Sequence, residues 1–288
     1  MDLFRRQMEF LRAKGYRVLS LEEFERCMRT GRFPERSVLI TIDDGYKSTM
    51  KAFEVLKEFD YPFVLFLYME AVARYPDFLT KEQLMEMKRW GKVAFGLHSW
   101  SHYRLTSLAG SPEDRIKDFF LRDLERAQRR FERLLGERPR VFAYPYGEYS
   151  PELVEVLKKE GYTFAFSQDV GVVGPCTNPY AVPRLPVVGS WSSFWRFRMY
   201  LSLRHLCYRV QAPGYGFVKS PFEVKAEVVG NYRRCLFYAT DLGWFPLKRP
   251  FKARLWLRLP FGRKRLGFKC WDDRGRIHEG FWLVIPEG

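Results

Sequence analysis

The sequence has few amide side chains and few histidines. Asn occurs twice and Gln five times, whereas Lys and Arg together number 49 and Asp and Glu 34. Many charged residues beside few amides is a pattern of heat-adapted proteins, so we expect a thermophilic source. Histidine occurs only four times in 288 residues. Two histidines that lie close together in this chain are therefore informative.

The distribution of cysteine excludes the familiar cysteine frameworks. The cysteines number five, an odd number, and none lies in a Cys-x-x-Cys pair. The sequence therefore indicates neither a disulfide framework nor a zinc knuckle. We expect buried free thiols at all the positions, which are Cys27, Cys176, Cys207, Cys235 and Cys270.

Long apolar runs are also absent. No run reaches the length of a membrane span, and residues 1–6 lead into an amphipathic helix rather than the apolar core of a signal peptide. The sequence predicts no transmembrane segment and shows no export signal. The compartment is left open.

Acidic residues are in deficit, which gives a formal net charge of +15. This charge favours anionic partners such as nucleic acid, acidic lipid or an acidic glycan. The basic residues are spread along the chain without a nucleic-acid-binding motif, so a solvated basic surface is the simpler interpretation. Aromatic residues make up 17% of the chain, which suits either stacking on sugar rings or a dense core. The oligomeric state is not indicated.

Helix-type and strand-type segments alternate over the first two thirds of the chain. Apolar residues spaced by three and four predict helices, and Ser20 with Glu23 forms a capping-box pattern. Predicted helices cover 3–14, 21–30, a stretch ending near 59, 80–90, 112–135, 151–160 and 194–208, and predicted strands cover 37–42, 62–68, 93–97, 141–143, 163–167 and 182–186. This alternation predicts an α/β fold with a parallel sheet or barrel, whose chemistry gathers at strand ends.

The pattern changes after about residue 208. Short strands separated by turn signals are predicted at 222–229, 234–240, 252–259, 265–271 and 280–285. They indicate a small all-β sandwich. We therefore predict two domains, residues 1–209 and 210–288.

Two histidines follow a predicted strand in the segment HSWSH at 98–102. One turn can present both imidazoles of His98 and His102 to a single metal ion. The alternative is a pair of structural histidines held by hydrogen bonds.

Two adjacent carboxylates, Asp43 and Asp44, end another apolar strand just before Gly45, where the backbone can turn sharply. Successive side chains of an extended segment diverge, so one carboxylate can bind a metal while the other faces a water molecule. A solvated turn is the alternative. The segment YPYG at 144–147 follows a third strand, and its backbone amides could face a developing oxyanion.

Together, TIDDG at 41–45, HSWSH at 98–102 and YPYG at 144–147 resemble the first three motifs of the polysaccharide deacetylase family (NodB homology, carbohydrate esterase family 4). The resemblance covers roughly residues 16–190. The segment GYRVLSL at 15–21 is similar to the subgroup that deacetylates exported poly-N-acetylglucosamine. The resemblance implies a distorted (β/α) barrel of about seven strands, followed here by a module that looks immunoglobulin-like.

The resemblance also implies a role for each motif residue. Asp44, His98 and His102 hold a divalent metal, usually zinc, that keeps open positions for water and the acetyl oxygen. Asp43 is the general base.

The third motif supplies the remaining contacts that the resemblance implies. The backbone amide of Tyr146 stabilises the oxyanion, and Pro145 and Gly147 fix its direction. Tyr144, Pro145 and Gly147 are the predicted substrate-binding residues.

Two departures from the family pattern affect the predicted site. Ala143 stands where many members carry an Arg that orients the base, and Arg184, in VPRLPV at 182–187, is predicted to replace it and pair with Asp43. The alternative for Arg184 is a surface position. The family's late Leu-x-His motif is missing, and neither His205 nor His278 matches it, so the general acid is unassigned.

The sequence thus predicts a metal-dependent hydrolase that removes N-acetyl groups from an amino-sugar polysaccharide. One alternative is a deacylase that acts on a small non-sugar amide. The other is a non-catalytic glycan-binding protein with a degenerate site, which the missing Arg and His motifs would explain.

Overall fold

A computed structural model describes residues 2–287. The helices are α1 (Asp2–Ala13), α2 (Leu21–Thr30), α3 (Thr49–Phe59), α4 (Lys81–Trp90), α5 (Glu113–Leu135), α6 (Pro151–Lys159) and α7 (Phe194–Ser202). Short 3-10 helices lie at Leu105–Leu108, Pro145–Gly147 and Gly189–Ser192.

The strands fall into two groups along the chain. The earlier strands are β1 (Arg17–Val18), β2 (Ser37–Val38), β3 (Thr41–Ile42), β4 (Phe63–Leu67), β5 (Val93–Leu97), β6 (Val141–Ala143) and β7 (Phe164–Phe166). The later strands are β8 (Arg204–His205), β9 (Cys207–Ala212), β10 (Gly216–Lys219), β11 (Phe222–Val229), β12 (Arg234–Ala239), β13 (Gly243–Leu247), β14 (Lys252–Leu257), β15 (Lys264–Trp271) and β16 (Ile277–Glu287).

The chain forms two compact units. The first contains the residues up to Tyr103, Asp118–Pro145 and Glu160–Ala165. The second contains Arg104–Lys117, Tyr146–Lys159 and the chain from Phe166 onward.

A parallel sheet with the order β3-β4-β5-β6-β7 carries the first two motifs. All side chains of β4 are buried, which is typical of a parallel strand covered on both faces. Parallel pairing aligns Thr41 with Val64 and Leu65 with Phe95. The carboxyl ends of β3 and β5 therefore lie at one edge of the sheet, where Asp43 and His98 follow. This confirms the predicted α/β fold with a parallel sheet.

Local sequence explains how the flanking helices begin. The Oγ of Ser20 accepts a hydrogen bond from the amide of Glu23, and the Glu23 carboxylate accepts one from the Ser20 amide. Thr80 and Gln83 repeat this arrangement at the start of α4. The predicted capping box of α2 is confirmed, and it satisfies backbone donors that the first helical turn leaves unpaired.

The later strands form two sheets. One has the order β10-β16-β15-β12-β13, with β8 pairing β16, and the other has the order β14-β11-β9. Alternate residues of β12 are buried, as expected for a strand with one face in a core. That core contains Phe237, Phe268 and Trp282.

Several predicted elements differ from those observed. Residues 182–186 are not a strand, and Val182 forms only an isolated bridge to Phe166. Pro183 and Pro186 follow Val182 and have no amide hydrogen to donate. The predicted helix 194–208 ends at Ser202, and β8 and β9 follow it. Strands β1, β10 and β13 were not predicted.

The expectation of free thiols is wrong for all cysteines except Cys27. Cys176 is bonded to Cys207 and Cys235 to Cys270, while Cys27 is free and buried. Cys235 and Cys270 are 35 residues apart in sequence and become neighbours because β12 pairs with β15 in a register that places them opposite each other. Spacing along the chain does not reveal such a register.

Among residues 2–287, no helix is both long enough and apolar enough to cross a bilayer.

Candidate active site

The side chains of Asp44, His98 and His102 converge in the first unit. The Nε2 atoms of His98 and His102 lie 3.4 Å and 3.3 Å from Oδ1 of Asp44. The ring centroids of the two imidazoles are 5.0 Å apart. The sequence prediction that these three residues lie together is consistent with this geometry.

A hydrogen bond at Nδ1, the ring nitrogen that faces away from Asp44, orients His98. Nδ1 lies 2.7 Å from the carbonyl oxygen of Ala143, so Nδ1 carries the proton and donates it. The lone pair of Nε2 then faces Asp44, which is the arrangement typical of a histidine that binds a metal. Burial lowers the pKa of His98, and the charges of Asp43 and Asp44 raise it. Ala143, where the family pattern has an Arg, thus contributes through its backbone.

Left-handed backbone conformations shape both segments of this cluster. Asp44, Ser99 and His102 have φ values of 72°, 65° and 50°, in a region that residues other than glycine rarely adopt. The buried hydroxyl oxygen of Ser99 accepts a hydrogen bond of 2.8 Å from the His102 amide. The tight turn that follows β5 is what brings the two imidazoles to the same side.

Asp123 supports this turn, and the sequence analysis missed it. Its carboxylate accepts hydrogen bonds from the amides of Trp100 and Ser101, at 2.8 Å and 3.0 Å, and from the Ser101 hydroxyl at 2.5 Å. Burial raises the pKa of Asp123, which the hydrogen bonds from Ser101 and Trp100 oppose. Asp123 is one of many charged residues of α5, so nothing in the sequence distinguishes it.

The cluster fits a divalent metal. Oδ1 of Asp44 is buried and has no hydrogen-bond partner, so a cation is the ligand that it lacks. Zinc bonds of about 2.0–2.2 Å in tetrahedral geometry imply separations of about 3.3–3.6 Å between ligand atoms. The observed distances of 3.3 Å and 3.4 Å match this range.

The third motif continues from the first unit into the second. Tyr144 and Pro145 are buried in the first unit, where the ring of Tyr144 packs against Phe142. Because the Tyr144 side chain is fully buried, its place in this structure is in the core. Tyr146 and Gly147 belong to the second unit, and of these four residues only Tyr146 is half-buried rather than buried.

The turn at Tyr146 and Gly147 has a constrained backbone. Tyr146 has φ 57° and Gly147 has φ 66°. A Cβ atom on Gly147 would lie 2.6 Å from the backbone nitrogen of Gln168, so only glycine fits. The Arg104 guanidinium lies 3.7 Å from the centre of the Tyr146 ring, and Arg263 donates a hydrogen bond to the Tyr146 carbonyl oxygen.

An ion pair between the buried Asp169 and the half-buried Arg265 lies next to Gln168 in the second unit. Asp169 accepts hydrogen bonds from Nε of Arg265 at 2.9 Å and from the Tyr149 hydroxyl at 2.7 Å. Arg265 also donates to the Gln168 carbonyl oxygen at 3.0 Å. Burial raises the pKa of Asp169, and the Arg265 charge opposes this shift. An arginine of β15 thus anchors the segment that packs on Gly147.

Arg184 is held by backbone contacts in the second unit. Its Nε donates to the carbonyl oxygen of Ser167 at 2.8 Å, and its amide donates to the Asp169 carbonyl oxygen at 2.9 Å. The structure thus brings together Asp44, His98 and His102, with Asp43 directly before Asp44. Arg184, Tyr146 and Gly147 are placed by the second unit. The pairing of Arg184 with Asp43 stays a prediction.

Comparison with known proteins agrees with the motifs. Residues 30–165 match the family model of the polysaccharide deacetylases. This chain contains a polysaccharide deacetylase domain. The resemblance drawn from the three motifs is confirmed.

The chain is similar to staphylococcal enzymes that share one name. Poly-beta-1,6-N-acetyl-D-glucosamine N-deacetylases of Staphylococcus aureus (strain MRSA252) and Staphylococcus epidermidis are 27% and 28% identical over 188 and 190 residues, covering 63% and 64% of this chain. The chain spans 65% and 66% of their lengths, just under two thirds.

Solved structures show the same fold. IcaB from Ammonifex degensii has a TM-score of 0.60 at 29% identity, covering 69% of this chain and 87% of its own. The Streptococcus pyogenes deacetylase PplD has a TM-score of 0.57 at 22% identity, covering 64% of this chain and 79% of its own. At that identity the second likeness concerns the fold alone.

Proposed function

We propose that the protein is a metal-dependent deacetylase that removes N-acetyl groups from an amino-sugar polysaccharide of the poly-N-acetylglucosamine type. The observation that carries this proposal is the convergence of Asp44, His98 and His102 at strand ends, with the buried Oδ1 of Asp44 lacking a hydrogen-bond partner. The names of the staphylococcal relatives support the substrate class.

In this mechanism Asp44, His98 and His102 would hold the metal, which we propose to be zinc. The metal would supply Lewis acidity toward the acetyl oxygen and a more acidic water. Asp43 takes a proton from the attacking water as general base. His98 keeps its Nδ1 proton on the Ala143 carbonyl, which holds the imidazole in one orientation.

The other proposed roles belong to the third motif and to Arg184. The amide of Tyr146 stabilises the oxyanion, and the turn with Pro145 and Gly147 fixes the direction of that amide. Arg184 orients Asp43. We also propose that the parallel sheet belongs to a closed barrel of about seven strands. In the same proposal the later strands form an immunoglobulin-type domain, and the boundary between the two domains lies at residue 209.

Acetate release is the direct test of this function. We expect the protein to release acetate from poly-N-acetylglucosamine, and a chelator to abolish the release. Chitin oligomers, peptidoglycan and a small acetanilide serve as comparisons. Release from the anilide alone would instead support a small-amide deacylase. Bound metal without release from any substrate would support a glycan-binding protein.

Metal content tests the ligand assignment separately. The purified, disulfide-intact protein should carry about one zinc or similar ion per chain, and His98→Ala or His102→Ala should remove it, because two protein ligands make a poor site. The measurement is elemental analysis after gel filtration. His278→Ala is the matched control and should keep the metal. Full occupancy in the double variant of His98 and His102 would refute the assignment.

A further inference from the structure

A second cluster of metal-binding residue types lies in the second unit. It consists of Cys176, His205 and Cys207, whose ligand atoms all lie within 4.8 Å of one another. Cys176 and Cys207 are joined by a disulfide, and Nε2 of His205 lies 3.5 Å from Sγ of Cys207. Cys176 is exposed and the other two residues are half-buried. The proposed deacetylase chemistry uses none of them.

His205 is oriented as a metal ligand would be. Its Nδ1 lies 2.7 Å from the carbonyl oxygen of Val172, so Nδ1 is protonated and donates. The lone pair of Nε2 therefore faces the two sulfur atoms. Metal-binding histidines are held in this way, with the second nitrogen bonded to a carbonyl or carboxylate. Burial disfavours the charged imidazole and so lowers the pKa of His205.

The backbone around the cluster is fixed by contacts that do not involve the disulfide. Gly174 and Thr177 form a turn around Cys176, in which the Gly174 amide donates to the Thr177 hydroxyl at 2.9 Å and the Thr177 amide donates to the Gly174 carbonyl at 3.0 Å. A Cβ atom on Gly174 would lie 2.3 Å from Cγ of His205. The close approach of turn and imidazole therefore requires glycine.

The strand that carries His205 is held equally well. The pairing of β8 with β16 aligns His205 with Glu279, and Nδ1 of His278 donates to the His205 carbonyl oxygen at 2.7 Å. Cys207 begins β9, which pairs with β11. All three candidate ligands should therefore stay close together when the disulfide is opened.

We propose that Cys176, His205 and Cys207 bind a zinc ion when their disulfide is reduced. A dithiol reductant reaches the exposed Cys176, donates two electrons and two protons, and is itself oxidised to a disulfide. Zinc then displaces both thiol protons, so that two thiolates and one neutral imidazole become ligands. Water completes the tetrahedron, as in other sites with three protein ligands. This proposal does not depend on the deacetylase activity.

Cobalt(II) binding tests the proposed zinc site, because thiolate ligands give a sulfur-to-cobalt charge-transfer absorption in the near ultraviolet. The full-length protein is titrated with cobalt(II), once with its disulfides intact and once after reduction with a phosphine, which adds no competing thiol. We expect the absorption at one equivalent in the reduced protein and none in the intact protein. The cluster of Asp44, His98 and His102 contains no sulfur and cannot produce it.

Variants locate the ligands. Cys176→Ser and Cys207→Ser should abolish the absorption, and His205→Gln should weaken cobalt binding more than about tenfold, since even the loss of an outer partner costs about 10–100-fold. Cys27→Ala and the double change Cys235→Ala with Cys270→Ala are the controls and should keep the absorption.

Three results would overturn the proposal. They are a reduced protein without the absorption, an absorption that survives Cys176→Ser or Cys207→Ser, and a reduced chain whose circular dichroism shows that it has unfolded.

Discussion

Asp43→Asn should leave the metal bound and lower turnover by about 10²–10⁴-fold, the usual contribution of a general base. Asn has the shape of Asp but cannot take a proton from water. Asp43 precedes the proposed metal ligand Asp44 and is not itself proposed to hold the ion. The measurements are acetate release at saturating substrate and metal content of the same preparation.

Asp44→Asn should give the complementary result. It removes the anionic ligand beside His98 and His102, so the metal and turnover should be lost together. Asn also tolerates the left-handed backbone at this position, so the turn is preserved. Asp77→Asn changes an exposed aspartate of the same unit and should alter neither quantity. Metal loss in Asp43→Asn with retention in Asp44→Asn would reverse the two roles.

Asp169→Ala should lower the free energy of unfolding by about 3–5 kcal/mol, because it removes the buried carboxylate that pairs with the half-buried Arg265. The Tyr149 hydroxyl loses its acceptor in the same change. Urea unfolding at neutral pH measures the effect. Glu58→Ala breaks an exposed ion pair with Arg5 and should have a much smaller effect, since water screens that pair.

A double variant shows whether the loss comes from the unpaired charge. Asp169→Ala combined with Arg265→Met removes both partners, so it should be less destabilising than the sum of the two single changes. If the losses of stability of the two single variants simply added up in the double variant, the broken ion pair would not be the cause of the loss. Since Gln168 packs on Gly147 and is bonded to Arg265, the single variants should also reduce turnover.

Much of the first unit could be predicted because its signals are local. Apolar periodicity located α1, α2, α4 and α5 to within about two residues. The strand at 37–42 divides into β2 and β3, a detail that periodicity does not resolve. Beyond residue 202 the predicted strands 222–229, 234–240, 252–259 and 265–271 match β11, β12, β14 and β15 to within about two residues. Strands β8, β9, β10 and β13 were missed, because short amphipathic strands and helical turns share similar patterns of apolar residues.

The motif residues were visible in the sequence because each follows an apolar strand. The residues that hold these motif residues in place could not be recognised in the sequence. Asp123 acts from α5 across 22 and 23 residues, and Arg265 reaches Asp169 across 96 residues. Both are charged residues among many, and only tertiary packing gives them partners. The same holds for the disulfides, whose cysteines are 31 and 35 residues apart.

The left-handed residues of the motifs have a consequence for how this protein can evolve. At Ser99, His102 and Tyr146 a side chain is held where glycine would be more stable, by roughly 1 kcal/mol each. Selection for heat resistance alone would favour glycine there, yet glycine removes the imidazole of His102 and the ring that Arg104 covers. Glycine at these positions would therefore raise the free energy of unfolding, but it would also remove side chains of the site.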